Sequence, residues 1–191
     1  MIRSFIVICL IVFFCGYLLV IGCERHEKYT GAPEIRKLWW AMDEYASNYG
    51  KAKNMELLKL GNFTEGRRRI NFGVWLRAYD PVSLEEGRIL AAEFVQDYWN
   101  TFREHPFTEQ CLEKVWKHGR EHEVGLQNFA VKIAYWDLQV NRPPIPYVAE
   151  ITFYDKTFNY YQADPKTQAL RLIYQESYDE AMDNLKRNTH I

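Results

Sequence analysis

The sequence predicts an α+β domain in which a long helix packs on one face of an antiparallel sheet. Two periodicities and one set of punctuation marks carry that prediction. Ile35, Leu38, Trp39, Met42 and Tyr45, and later Leu84, Ala91, Phe94, Val95, Tyr98 and Phe102, recur at the three- and four-residue steps of a buried helical face. Ile70–Ala78 and Phe129–Tyr135 instead alternate apolar with polar residues, the two-residue period of a strand with one core face. Ser83 with Glu86, and Ser177 with Glu180, match the capping box that starts a helix.

The elements follow in chain order. A helix is expected over residues 34–48, with Pro33 at its start and Gly50 beyond its end. Residues 51–66 resist assignment; a strand over 56–60 competes with a loop. A strand follows over 70–78, ended by Asp80-Pro81, and then the capped helix to about Glu104. A shorter helix should begin near Thr108, bury Leu112, Val115 and Trp116, and stop at Gly119. A meander of strands then runs from Phe129 to Tyr135, Val148 to Tyr154, Phe158 to Gln162 and Leu170 to Gln175. The prolines at 143, 144 and 146 cannot donate to a ladder, so that run is a connection. A short C-terminal helix through about Leu185 completes the domain.

Composition narrows the function. The 191 residues carry 24 basic and 25 acidic side chains, a net charge of −1, so a nucleic-acid binder acting through a broad basic field is not expected. At 48% hydrophobic the chain is too apolar for wholesale disorder.

The N-terminus is distinctive. Arg3 precedes an 18-residue uncharged run, Phe5–Gly22, and charges resume at Glu24. As a helix that run would span about 27 Å, close to the thickness of bilayer hydrocarbon, so length alone leaves a cleaved signal and a retained anchor both open. Val20-Ile21-Gly22-Cys23 resembles the lipobox of bacterial lipoproteins, in which a small residue precedes the cysteine that is lipidated. The resemblance implies a signal peptide over 1–22, a lipidated tether over 23–33 and a single domain over 34–191. It also implies a membrane-held envelope protein, with Glu24 favouring the outer membrane in a Gram-negative cell. The layout of the mature chain, with scattered residues such as Pro106-Phe107-Thr108, resembles uncharacterised lipoproteins of chlamydia-like bacteria, a group that brings no activity with it.

Few residues suggest chemistry. With Cys9 and Cys15 in the leader and Cys23 acylated, Cys111 is the one thiol left, and its surroundings read as core. His118-Gly119-Arg120-Glu121-His122 matches the H-x-x-E-H pattern of inverted zinc peptidases, in which two histidines bind zinc and the glutamate activates water. Gly119 interrupts it where a helix should stop, and no third ligand is marked. Arg67-Arg68-Arg69 is the one dense basic cluster, either a solvated lead-in to a strand or a contact for anionic surfaces.

Aromatic residues outweigh these motifs. Trp75, Tyr79, Trp136, Tyr154, Tyr160 and Tyr161 lie on or near strands, where an outward face would form a platform for sugar rings or for a protein. The expectation is a non-enzymatic, lipid-anchored binding module without a cofactor. Its partners would be the membrane, through the lipid, and an envelope protein or the cell wall. The alternatives are a zinc-dependent envelope hydrolase using His118, Glu121 and His122, or a structural subunit of an envelope assembly.

Overall fold

The computed structural model describes residues 33–64, 70–109, 125–137, 139 and 141–189. It shows a mixed α+β domain. Helix α1 (Pro33–Ala52) leads into strands β1 (Met55–Thr64) and β2 (Ile70–Ala78). Helix α2 (Leu84–Glu104) follows, then β3 (Phe129–Tyr135), β4 (Glu150–Tyr154), β5 (Thr157–Ala163), β6 (Leu170–Ser177) and helix α3 (Tyr178–Thr189). The strands form one six-stranded sheet in sequence order.

Two expectations are corrected. The single strand before the long helix is a hairpin, β1 with β2. Its first strand escapes a two-residue period because the register slips between Leu57 and Lys59, which leaves Leu58 exposed between two inward-facing leucines. The sheet is also not wholly antiparallel: β3 to β6 form the expected meander, but β3 pairs parallel to β2. The connection through α2 is long enough to return the chain to the same end of the sheet, which a tight turn cannot do.

Boundaries move for local reasons. Pro33 is the first residue of α1, the position where its missing N–H costs nothing. Gly50 does not end that helix. It lies inside α1, where a Cβ would sit 2.9 Å from the Met55 carbonyl oxygen, so its bareness lets β1 start close by. The chain turns out at Asn54, whose φ of 53° is the left-handed conformation asparagine tolerates. Asp155 and Lys156, with φ of 48° and 61°, close the β4–β5 hairpin in the primed-turn geometry that suits twisted strands. The helix expected from Thr108 to Gly119 lies outside the described residues beyond Glu109.

Both capping boxes form. Ser83 Oγ accepts from the Glu86 amide at 3.3 Å while Glu86 Oε2 accepts from the Ser83 amide at 2.8 Å, and Ser177 with Glu180 repeats both distances. These bonds hold the Glu86 and Glu180 carboxyls below their ordinary range.

The three helices cover one face of the sheet. Trp39 of α1 and Phe102 of α2 meet Phe72 of β2 at ring distances of 5.4 and 4.8 Å, and Phe129 of β3 closes the group. Ala181, Met182 and Leu185 of α3 join the same core. One polar cluster sits beside it. Glu176 on β6 is buried and takes a two-pronged contact from Arg88 of α2, with Nε to Oε1 at 3.0 Å and Nη2 to Oε2 at 2.6 Å. The Tyr160 hydroxyl donates to Oε1 at 2.8 Å. Burial, with the Glu176 charge beside it, pushes the Tyr160 phenol far above its ordinary value.

Two outcomes test these contacts. Glu176→Gln should lower stability by about 2 kcal/mol, because Arg88 loses its buried two-pronged partner and keeps only the exposed Glu85 carboxylate at 2.9 Å, whereas Tyr160→Phe should cost about 1 kcal/mol. Urea midpoints at constant slope measure both. The capping carboxylates also fix a sign. Their folded pKa values lie below the unfolded ones, so they stabilise the fold fully above the ordinary glutamate pKa and lose that contribution as pH falls from there through the lowered folded values. The urea midpoint should therefore drop between about pH 6 and about pH 3, and the drop should flatten in Glu86→Gln/Glu180→Gln, which keeps the caps without the titration.

Candidate interaction face

With every described helix on one side, the alternate residues of the strands form a second face that no described helix covers. Cross-strand register orders it in rows. Glu56, Arg77, Ala134, Glu150 and Tyr161 lie side by side across β1 to β5. The next row is Lys59, Trp75, Lys132, Thr152 and Asn159. Tyr79 and Trp136 extend the face just past the ends of β2 and β3.

Small residues on β3 shape this surface. Ala134 floors a shallow depression walled by Leu58, Trp75, Arg77 and Trp136. Ala130 floors another, bounded by Trp75, Lys132, Thr152 and Tyr154. Four residues along a strand separate the two alanines, a spacing of about 13 Å.

Cations and rings interleave across the face. Lys132 Nζ sits 4.8 Å from the Trp75 ring centre. The Arg77 and Arg142 guanidinium carbons each lie 5.8 Å from that of Trp136, and Arg77 also lies 5.3 Å from the Tyr79 ring. The attraction of a cation for a ring face orients these long side chains. Tyr79 in turn donates to Glu56 Oε2 at 2.7 Å, and that bond raises its phenol pKa.

The unpaired hydrogen-bonding atoms on the face are mainly donors, the exception being Glu150 Oε2, which meets only the Lys132 ammonium. The indole Nε1 of Trp75 and of Trp136, Arg77 Nε and Arg142 Nη1 are buried and meet no acceptor among the described residues. All four are donors. Arg77 Nη2 does donate, at 3.1 Å, to the Asp137 carbonyl oxygen. The Asp137 carboxylate accepts from the amides of Asn141 and Gln139 at 2.8 Å each, and these bonds, with the nearby Arg77 charge, lower its pKa. Glu150, although on this face, is buried, and Lys132 neutralises it at 2.9 Å.

Of the residues marked in the sequence, Trp75 and Trp136 come together here, both partly exposed. Tyr79, Tyr154 and Tyr161 share the face. Tyr160 does not: it is fully buried on the helix side, because it pairs with Ile151 and so takes the core phase of β5. Cys23, the Arg67-Arg68-Arg69 cluster, Cys111, and His118, Glu121 and His122 lie outside the described residues. Among the described residues no group of three histidine, cysteine, aspartate or glutamate side chains could hold a metal, and no helix is long and apolar enough to cross a membrane. The sequence reading passed over Arg77, Lys132, Ala134, Arg142 and Glu150. Their signal was present as the polar or small phase of alternating strands, and the register decides which of them meet.

The buried Lys132–Glu150 pair makes its own test. Lys132→Met should destabilise the fold by about 2 kcal/mol, less than a fully buried pair would lose, because the lysine side chain is 36% exposed. Adding Glu150→Gln should restore much of that loss in a double-mutant cycle read by urea unfolding.

No protein family, curated protein or solved structure matches the chain.

Proposed function

We propose that this chain is a lipid-anchored bacterial envelope protein, held in the membrane through Cys23, whose domain is a non-enzymatic interaction module. The sheet face that no described helix covers is its contact surface, and an envelope protein is the partner. The observation that carries this reading is the partly exposed Trp75–Trp136 pair, set around an alanine-floored depression and flanked by Arg77 and Lys132. Tryptophan and arginine on a patch that the described helices leave uncovered are the residue types that dominate binding energy at protein interfaces. The anchoring half rests on the apolar run Phe5–Gly22 ending in Gly22-Cys23, with Glu24 favouring the outer membrane where there is one.

The two halves are tested separately. Intact mass from bacterial membranes should show loss of residues 1–22 and gain of acyl chains, and Cys23→Ala should abolish both. An unprocessed, unacylated mass that is unchanged by Cys23→Ala would make the leader a retained anchor. For the face, a photoreactive residue at Trp75 or Trp136 should give one discrete cross-linked product in intact cells. The same residue at Trp40, exposed on α1, should not. Equal labelling from all three positions would remove the case for a dedicated face.

A further inference from the structure

We infer that the depression over Ala134 recognises an acidic polypeptide segment of the partner, seating a carboxylate between Arg77 and Arg142 and an apolar side chain on Ala134. This deepens the reading of the open sheet face as the contact surface and rests on it.

Charge is the first argument. Two guanidinium groups flank the one indole of Trp136, and among the described residues neither forms an ion pair with a carboxylate. The nearest candidate in sequence, Asp137, has its carboxylate committed to the amides of its own loop. Asp137 feels the Arg77 charge but forms no direct ion pair with it, so both guanidinium groups keep free N–H donors, and a carboxylate accepts from them in the forked geometry a guanidinium favours.

Hydrogen-bond polarity selects the ligand class more sharply. Trp75 Nε1, Trp136 Nε1, Arg77 Nε and Arg142 Nη1 all donate, and none has an acceptor among the described residues. Each buried donor left unpaired is costly, and a small side-chain adjustment towards an acceptor would recover that cost. A carboxylate only accepts, so it matches a set that only donates. A neutral sugar brings a hydroxyl donor with almost every acceptor, and the two carboxylates in the row of Arg77 and Ala134, Glu56 and Glu150, are already engaged by Tyr79 and Lys132. The ring faces point the same way: Lys132 lies over Trp75, and Arg77 and Arg142 lie over Trp136, so these indoles are engaged by cations rather than left bare for sugar stacking. Leu58 and the Ala134 floor add an apolar seat beside the cations. Acidic and apolar groups a few ångströms apart are what a peptide alternating such side chains presents.

The test uses the full chain in detergent micelles, labelled with 15N-tryptophan, at fixed ionic strength. The probe is a capped hexapeptide alternating glutamate and leucine, with its glutamine counterpart as control. Saturable shifts are expected in the indole N–H signals of Trp75 and Trp136 and not in that of Trp40. Affinity should fall at least about tenfold for the glutamine peptide, and as much for Arg77→Gln/Arg142→Gln, the weight of one charge-assisted contact. Equal binding of the glutamine peptide, no shift with either peptide, or tighter binding of inorganic phosphate or of an oligogalacturonate would each overturn the proposal. If position 75 still cross-links to a discrete partner in cells while the peptide fails, the contact face stands and the acidic-segment inference falls.

Discussion

The aromatic seam where Trp39, Phe72, Phe102 and Phe129 converge is the contact on which the rest of the domain depends. It joins α1 and α2 to β2 and β3 from the same side. Rings of this size bury most of their area only against other layers, so the sheet and helices must meet there. Gly87 lets α2 lie close over β4: a Cβ at that position would come within 3.2 Å of Ile151 Cδ1. Helix α3 then docks on α2, where Asn184 donates to Glu85 at 3.0 Å, and the Arg88–Glu176 contact ties α2 to the far edge strand.

Placing the helices together has a consequence on the other side. Strand alternation sends Phe72, Val74 and Leu76 inward and so sends Trp75 and Arg77 outward, and the parallel register with β3 sets Lys132 and Ala134 beside them. The outward residues are not a solvated polar face of the ordinary kind. They include two tryptophans, a buried carboxylate and several donors without acceptors. Such groups are costly to keep in a surface that serves only to meet water, and a binding role gives them a purpose.

Much of this could be read from the sequence, for reasons that differ by element. Ile70–Ala78 and Phe129–Tyr135 were legible because each has one buried face and therefore a clean period. The two capping boxes were legible because their hydrogen bonds join residues three apart. Gly50 misled because a glycine near a helix end signals a stop, while here it answers the close approach of Met55. β1 was blurred by the slip at Leu58, and the direction of β3 depends on a pairing that no local pattern records. The site was half legible. Trp75 and Trp136 stood out by type, whereas Arg77 and Arg142 lie 65 positions apart in the chain and converge on Trp136 only through the β2–β3 register.

Oxidative footprinting of the full chain, in intact cells and after purification, tests the central proposal most directly: that the sheet face no described helix covers is covered by a partner where the protein works. Trp75 and Trp136 should be protected from oxidation in cells and exposed after purification, with Trp40 oxidised alike in both. Equal oxidation of Trp75 and Trp136 in the two settings would contradict it, since the face would then stand open to water in its own environment.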